Sequence, residues 1–435
     1  MMRRHVLHFF LLVAGLLPAF DARAQYSWQP LNIIPAQSRY DDMYWRSPQL
    51  GWTIDFSGFV RRTTDGGQTW QTLLGPPGRD YRSIGFLTDS IGFIGKLVPA
   101  RMGADTAVLY RTTDAGLTWA PVQLPGRVTN KGFCGMSAVN DSVLMACGRY
   151  SGNATFYRTT DAGLTWQVRD MRGLAGGLVD CHFWSPDSGI VVGTNGAHRT
   201  ANGLVLFTAD GGQTWSVKHT TANVGDLCWK ITFPSKRVGY VSIEDFNGGN
   251  LYCLKTTDQG QTWREVRYGS ALSFNAEGIG FINDSVGWIG GDYVGPTVYR
   301  TVDGGQTWTA TQLAPNLNRF RFFGDTLGYA SGTLIYRITP QAVGLPEKAG
   351  EDGIGECWPN PAADRFALPL TLRRAGLVRL ALTDVLGREV LSRQARYPAG
   401  AHELEVSLTG LPPGLYSCHV QSPAGRRVRT LVVQR

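Results

Sequence analysis

Short runs in which apolar and polar residues alternate occupy residues 26–340, and turn-forming residues separate them. Apolar residues two positions apart, such as Met43 and Trp45 or Ile84 and Phe86, belong on one face of a strand. The pattern predicts an all-β protein built from many short strands.

An octapeptide of the form Thr-x-Asp-x-Gly-x-Thr-Trp occurs six times, at intervals of 45 to 49 residues. Repeats of this length with short alternating strands are typical of propeller blades with four strands each. We expect the Asp to accept backbone hydrogen bonds across its turn, the Gly to take a positive φ and the Trp to cover the hairpin. The structural Asp and Trp residues are Asp65 and Trp70, Asp114 and Trp119, Asp161 and Trp166, Asp210 and Trp215, Asp258 and Trp263, and Asp303 and Trp308.

A second landmark, usually a glycine followed by an aromatic or apolar residue, occurs seven times. The seven positions are Gly51-Trp52, Gly92-Phe93, Leu144-Met145, Gly189-Ile190, Gly239-Tyr240, Gly287-Trp288 and Gly328-Tyr329. The seventh unit lacks the octapeptide and a fourth strand, whereas residues 26–31 resemble the strand that follows an octapeptide. We therefore predict a seven-bladed β-propeller over residues 25–339, closed by an N-terminal strand that leaves no open sheet edge at the seam.

Residues 1–24 have the pattern of a secretory signal peptide. Arg3 and Arg4 precede an apolar run, and Ala22 and Ala24 stand at the −3 and −1 positions of a cut before Gln25. The run is too short for a membrane span, and we expect no transmembrane segment in the mature chain. Export would place all 7 cysteines in an oxidising compartment. Cys134 and Cys147 are one candidate disulfide pair, and the pairing stays open.

The net charge of +8 raises nucleic acid as a partner. The charge is uneven: residues 1–24 carry +2 and residues 353–435 carry +5, which leaves about +1 for the segment between them. A nearly neutral propeller offers little for phosphate binding, so we predict no nucleic-acid partner.

The octapeptide resembles the Asp-box of sialidases, sortilin-type receptors and photosystem II assembly factors of the Ycf48 type. The glycine landmarks and the single octapeptide in each blade are most similar to the Ycf48-type group. The resemblance implies the propeller fold, and it leaves the function open because the Asp-box is architectural wherever it occurs.

The sequence contains no catalytic, metal-binding or cofactor motif that we recognise, so we predict no catalytic residue, no metal and no cofactor. Asp41 and Asp42 could be paired carboxylates, but adjacent strand residues point to opposite faces. The Arg-Ile-Pro motif of sialidases is absent, since Ile33-Ile34-Pro35 stands in the comparable region.

Two sets of residues are binding candidates. The first is a ring of cations three residues before five of the six Asp-box Asp residues (Phe207 takes this position before Asp210), with the matching position of the seventh unit: Arg62, Arg111, Arg158, Lys255, Arg300 and Arg337. This ring would hold an anionic partner, or each cation would be solvated or paired locally. The second set is expected near the axis on the face with the long, variable loops: Asp42, Tyr44, Asp180, His182, Glu277, Arg319 and Arg321.

Residues 340–356 are rich in Gly, Pro and acidic residues and form the predicted linker. Short alternating strands over residues 357–435 predict a small Ig-like β-sandwich. Pro359-Asn360-Pro361 and the segments 384–390, 408–416 and 431–433 resemble the type A sorting domain of the type IX (Por) secretion system. The resemblance implies that residues 357–435 bind the type IX machinery, and that the protein passes the periplasm and is released or held at the outer-membrane surface.

Together these features favour a monomeric, non-enzymatic propeller that binds a glycan or a protein on its long-loop face. The alternatives are a sialidase-like glycoside hydrolase and an assembly factor for a membrane complex. A hydrolase requires two carboxylates about 5–9.5 Å apart or an arginine triad around a Tyr beside the axis. A binding protein requires a shallow aromatic or charged rim without converging acids.

Overall fold

The structure is a computed structural model that describes residues 26–341 and 353–434, apart from residues 74, 77, 79, 98–106, 126–131, 151, 198, 250, 270–274, 293–296, 385–387 and 424. The chain divides into two compact units, residues 1–341 and 342–435. The described residues form strands and turns without a helix. It follows that no described helix is long and apolar enough to cross a membrane. The predicted signal peptide and most of the predicted linker lie outside the described residues.

The described residues of the first unit form 28 strands. The chain begins with β1 (Tyr26–Pro30). Blade 1 contains β2 (Tyr40–Trp45), β3 (Gly51–Asp55), β4 (Val60–Thr63) and β5 (Gln71–Leu73). Blade 2 contains β6 (Tyr81–Phe86), β7 (Gly92–Lys96), β8 (Leu109–Thr112) and β9 (Ala120–Pro121). Blade 3 contains β10 (Gly135–Ala138), β11 (Leu144–Gly148), β12 (Thr155–Thr159) and β13 (Gln167–Asp170). Blade 4 contains β14 (Gly177–Phe183), β15 (Gly189–Thr194), β16 (Gly203–Thr208) and β17 (Ser216–Thr220).

The remaining three blades follow in the same order. Blade 5 contains β18 (Asp226–Thr232), β19 (Gly239–Asp245), β20 (Leu251–Thr256) and β21 (Arg264–Gly269). Blade 6 contains β22 (Asn275–Phe281), β23 (Gly287–Asp292), β24 (Thr297–Thr301) and β25 (Thr309–Gln312). Blade 7 contains β26 (Arg319–Phe323), β27 (Leu327–Ser331) and β28 (Ile335–Pro340).

The first strands of the seven blades contact one another in sequence, and β26 returns to β2, so the blades form a closed ring. The strand β1 pairs antiparallel with β28 and gives blade 7 its fourth strand. Within the described residues the first unit therefore has seven four-stranded antiparallel sheets. The predicted all-β propeller with seven blades and an N-terminal closing strand is confirmed.

The two sequence landmarks meet where neighbouring blades pack. Gly51 lies opposite Trp45 in the ladder, and a Cβ on Gly51 would lie 2.5 Å from the Trp45 ring. Glycine is therefore required for the ring to lie across the adjacent strand. The Trp45 ring then stacks on Tyr329 of blade 7 with 3.5 Å between centroids, as Phe86 stacks on Trp52 at 3.7 Å. The pattern that recurs in the sequence is thus the apolar contact between blades.

The described residues of the second unit form two sheets. One has the strands β29 (Gly353–Ile354), β30 (Arg365–Leu372) and β33 (Gly400–Ser407), and the other has β31 (Gly376–Thr383), β32 (Glu389–Tyr397), β34 (Gly414–Ser422) and β35 (Gly425–Val433). Alternate residues of both sheets, such as Leu368 and Val420, enter one hydrophobic core. The Ig-like character of this unit stays a prediction.

Candidate functional site

Each of the six Asp-box Asp residues closes its own turn. The Oδ1 atom of Asp65 accepts hydrogen bonds from the Thr63 hydroxyl (2.8 Å) and the Thr69 N–H (3.0 Å), and Oδ2 accepts one from the Thr69 hydroxyl. The Thr63 hydroxyl oxygen accepts a bond from the Gly67 N–H at 2.8 Å. The same four contacts recur in the other five boxes. The fifth-position glycines have φ between 79° and 89°. These residues therefore fix the turn and are not free to act on a ligand.

The fourth residue of each box links three parts of the ring. Its N–H donates to the turn between the first two strands of its own blade, as Ala115 does to the Ser90 carbonyl at 2.9 Å. All six boxes make this contact. In four of the boxes the carbonyl of this residue also accepts a hydrogen bond from the preceding blade, as at Ala115, to which Trp52 Nε1 donates at 2.9 Å. The Asp-box turns and the first turns therefore lie on one face, which we name the turn face, and the opposite end is the loop face.

Two members of the predicted cation ring donate a hydrogen bond to the fourth Asp-box residue of the next blade. Arg111 donates to the Ala162 carbonyl at 2.9 Å, and Lys255 donates to the Gly304 carbonyl at 2.6 Å. Arg62 lies 5.9 Å from the Trp52 ring centroid, and Arg158 lies beside Gly211 of the next box. Arg300 and Arg337 occupy the equivalent strand positions, and all six side chains are half-buried. The contacts of the ring are therefore local, which favours the structural alternative over an anion site.

The Asp-box hydrogen bonds predict an acid-sensitive stability. Hydroxyl and backbone N–H donors of Thr214, followed by the Thr208 hydroxyl, lower the pKa of Asp210 to about 2. A depressed pKa contributes stability above the unfolded value near 3.8, and that stability is lost as the pH falls through about 2. We expect Asp210→Asn to lower the urea midpoint at pH 5, and the difference from the parent protein to shrink towards pH 2. A difference that stays constant from pH 5 to pH 2 would contradict this origin.

At the axis, charged side chains from six blades form one buried group, which we name the axial cluster. Its members are Arg39, Asp41, Asp42, Arg82, Asp180, Lys230, Glu277 and Arg319. The ion pairs are Arg39–Asp41 (3.0 Å), Arg39–Glu277, Arg82–Asp41 (2.9 Å), Arg319–Asp42 (2.9 Å) and Arg319–Asp180 (2.7 Å). Every paired side chain is at most 6% exposed. Four cations and four anions balance, so the cluster is neutral. Because its side chains are buried, the cluster is also closed to a ligand.

The Arg319 side chain spans the axis, because Asp42 is in blade 1, Asp180 in blade 4 and Arg319 itself in blade 7. Burial alone would lower the pKa of Arg319, but the two carboxylates raise it overall. Burial would likewise raise the pKa of Asp180, yet Arg319 and then Lys230 bring it below its ordinary value. Both groups are therefore charged, and their mutual attraction compensates the loss of hydration.

Irregular strand register brings the charges to the axis. The ladders of β2, β6 and β22 shift at Tyr40/Asp42, Tyr81/Ser83 and Ala276/Gly278, and the residues inside these shifts are Asp41, Arg82 and Glu277. A bulge inserts one residue and redirects its side chain. Our expectation that Asp41 and Asp42 point to opposite faces is therefore wrong, since both carboxylates join the axial cluster.

Lys230 differs from the other members of the axial cluster. The residue is 1% exposed, and its Nζ atom has no hydrogen-bond partner within the described ranges. Burial, followed by the nearby Arg319, lowers the pKa of the amine to about 8. Lys230, Arg39 and Arg82 carry no motif by which the sequence identifies them as site residues. Arg39 immediately precedes β2, Arg82 is the second residue of β6 and Lys230 is the fifth residue of β18, so only a position on or next to a first strand could have indicated them.

A pocket of about 340 Å³ opens beside the axis on the turn face. Its walls are largely aromatic, and its lining includes His182, Phe233, Phe281, Phe320, Arg321 and Phe322. His182 packs on Phe233 with 4.8 Å between ring centroids. Burial lowers the pKa of His182 to about 4, so its imidazole is neutral near pH 7.

Arg321 supplies the charge of this pocket. Its guanidinium makes no hydrogen bond or ion pair with any residue that the structure describes. Burial, followed by the nearby Arg319, lowers its pKa, but an arginine remains charged at physiological pH. Tyr44 is near enough to influence Arg321, and burial raises the pKa of that phenol. A half-buried and unpaired guanidinium among aromatic rings has the chemistry to bind a carboxylate attached to an apolar body.

The face predicted for these residues is wrong. Tyr44 and His182 lie one ladder step from the strand ends at the turn face, and Arg321 lies two steps from that end, as its pairing with Tyr329 places it. Asp42, Asp180 and Arg319 lie two residues deeper. Four of the seven candidates, Asp42, Asp180, Glu277 and Arg319, therefore belong to the closed axial cluster, His182 and Arg321 line the open pocket, and Tyr44 lies near Arg321. Residues 98–106, 270–274 and 293–296 lie outside the described residues.

A groove adjoins the pocket on the turn face and shares Pro234, Ile282 and Gly324 with it. Its volume is about 940 Å³, and Asp284 and Asp325 are exposed along it. The positive charge of Arg321 in the pocket thus lies next to the negative charge of the groove.

Among the described residues no group of acids, histidines and cysteines could hold a metal ion. All seven cysteines, including Cys134 and Cys147, are free thiols.

Two family models match the sequence. Residues 20–169 match photosynthesis system II assembly factor YCF48, and residues 356–434 match the secretion system C-terminal sorting domain. The first unit has a YCF48-like propeller. The second carries a secretion-type sorting domain, which implies delivery by the type IX system to the cell surface or beyond it.

Solved structures agree with the YCF48-like fold. A structure of YCF48 bound to D1 peptide aligns with a TM-score of 0.53 and 20% identity over 74% of this chain and 97% of that one. YCF48 from Cyanidioschyzon merolae aligns with a TM-score of 0.53 and 19% identity over 72% of this chain and 98% of that one. A GH74 xyloglucanase from Xanthomonas campestris aligns with a TM-score of 0.54 and 14% identity over 93% of this chain and 75% of that one. At these identities the similarity shows the fold alone. The sequence has no match among curated proteins.

Proposed function

We propose that this protein is an extracellular binding propeller that holds a peptide segment of a protein partner in the aromatic pocket of its turn face. The observation that carries the proposal is the unpaired Arg321 guanidinium among Phe233, Phe281, Phe320 and Phe322. Such a site would bind a carboxylate, either an acidic side chain or a chain terminus, next to an apolar group.

The charges around the pocket favour a peptide over an acidic glycan. A ligand with its carboxylate on Arg321 would extend over the groove that exposes Asp284 and Asp325, where a cation is favoured. Peptides supply both charges on one chain, whereas a carboxylated glycan supplies only the negative one. The bound D1 peptide of the YCF48 structure gives this ligand class a precedent on the same fold.

The test is binding of the full chain to an array of short peptides that combine acidic, apolar and basic residues, with a glycan array beside it. We expect Arg321→Met to weaken the selected peptides about 10- to 100-fold, the worth of a charge-assisted hydrogen bond. Arg237→Met removes the same charge from an exposed position on the turn face and is the matched control. Selection of carboxylated glycans alone, or equal losses in both variants, would refute the peptide proposal.

A hydrolase receives less support. Carboxylates do converge at the axis, contrary to the expectation for a simple binding protein, and a xyloglucanase is among the structural neighbours. However, the ion-paired carboxylates Asp41, Asp42, Asp180 and Glu277 are at most 6% exposed. A glycosidase needs two carboxyl groups that reach the substrate from both sides of the bond. The axial cluster therefore favours a structural role for these acids.

A further inference from the structure

Two cysteines of the sorting domain lie side by side in its core. Cys357 is 3% exposed at the beginning of the unit, and Cys418 is 0% exposed on β34. Both belong to the same hydrophobic cluster, and the two thiols hydrogen-bond to each other. Neither thiol was selected from the sequence, because 61 positions separate them and 7 cysteines allow many pairings.

The backbone on both sides of Cys357 is held in place. Arg429 lies opposite Cys418 in the ladder and donates to the carbonyls of Ile354 and Gly355 at 2.5 and 3.0 Å. After Cys357, the N–H of Trp358 donates to the Ala367 carbonyl at 2.9 Å, and the reverse bond is 2.8 Å. Hydrogen bonds therefore hold the backbone on both sides of Cys357, and Arg429 connects this segment to the strand that pairs with Cys418.

We propose that Cys357 and Cys418 form a disulfide when the protein is exported, and that this bond fastens the beginning of the sorting domain to its central sheet. Disulfides form and persist outside the cytoplasm, which is where a secretion-type sorting domain implies that the protein passes. The bond closes a loop of about 60 residues, and a constraint of that length strongly restricts the unfolded chain.

The reaction requires an oxidant that itself carries a disulfide, such as a dithiol oxidase or oxidised glutathione. The Cys357 thiolate attacks one sulfur of that disulfide, forms a mixed disulfide and releases the other sulfur as a thiolate. The Cys418 thiolate then attacks the Cys357 sulfur of the mixed disulfide and displaces the oxidant's remaining sulfur as a thiolate. Two cysteine thiols lose two protons and two electrons, and the oxidant is reduced to two thiols. Hydrogen bonding from Cys418 lowers the pKa of Cys357, which favours Cys357 as the first nucleophile.

The first test is peptide mapping of the full chain after refolding in air with oxidised glutathione. The refolded protein is then denatured, alkylated without reductant and digested with a protease. We expect the Cys357 and Cys418 peptides to be joined, while Cys228 and Cys253 of the propeller are alkylated. Alkylation of Cys357 and Cys418 to the same extent as Cys228 would overturn the proposal.

The second test separates the bond from packing. We expect the transition of the sorting domain to melt about 10 °C lower after refolding with dithiothreitol. A Cys357→Ala/Cys418→Ala variant should melt lower whether or not dithiothreitol is present, because it has no bond to reduce. If dithiothreitol leaves the melting temperature of the parent protein unchanged, the two cysteines act only as buried apolar groups, and the proposal is wrong.

Discussion

An Arg319→Met variant is expected to unfold about 3–5 kcal/mol more easily than the parent protein. The substitution leaves the carboxylates of Asp42 and Asp180 buried at 1% exposure without their shared cation. An unpaired buried charge costs far more than the loss of an exposed ion pair. The free energy of unfolding from urea denaturation, monitored at the propeller transition, measures the effect.

Arg46→Met provides the matched control for Arg319. Arg46 is 39% exposed and pairs with Asp89 and Asp141 at 3.5 and 3.4 Å on the turn face, so its loss should cost less than about 1 kcal/mol. Adding Asp42→Asn and Asp180→Asn to Arg319→Met should restore much of the stability, because the amides are neutral. Equal losses for Arg319→Met and Arg46→Met would show that the axial cluster contributes little.

Deleting residues 26–31 is expected to destabilise the propeller more than any single substitution in the closing strand. The deletion removes the five-residue pairing of β1 with β28 and exposes the edge of blade 7. It also removes Trp28, whose ring lies 5.7 Å from Trp288 and 5.9 Å from Phe320. We expect loss of the cooperative thermal transition and concentration-dependent association, measured by calorimetry and light scattering.

Trp28→Ala tests the aromatic part of this contact separately. We expect a loss of about 3 kcal/mol, the lower end of the range for a large aromatic residue, because Trp28 is only half-buried. Trp358→Ala removes a tryptophan that is 73% exposed in the sorting domain and should leave the propeller transition unchanged. A truncated chain that melts like the Trp28→Ala variant would show that the hydrogen bonds of β1 are dispensable.

The fold was predictable because its determinants repeat. Each Asp-box contains the groups that satisfy its own turn, and each glycine landmark marks a ring stacked between blades, as at Gly51 and Trp45. Local patterns of this kind are visible in one sequence, and seven occurrences of the landmark are enough to count the blades. The closing strand was identified in the same way, because residues 26–31 resemble the fourth strand of other blades.

The site was less predictable because small irregularities decide it. A strict period of two assigns Asp41 and Asp42 to opposite faces, and the bulge that unites them leaves no mark in the sequence. The sequence predicts Arg319 and Arg321 together on the loop face. Two residues along a strand are, however, about 6–7 Å apart. That distance separates the closed ion pair of Arg319 from the open pocket of Arg321. The sequence pattern does not show how far along its strand a residue lies from the turn face, and this distance decides whether the residue is in the axial cluster or in the pocket.

The pairing of β1 with β28 has a consequence for processing. The first and last strands of the ring belong to the same sheet, and β28 ends at Pro340. Proteolytic trimming after this point would detach the sorting domain without withdrawing a strand from any blade. The seam that seals the ring thus also makes the tail a removable module, so that maturation would require no refolding of the propeller.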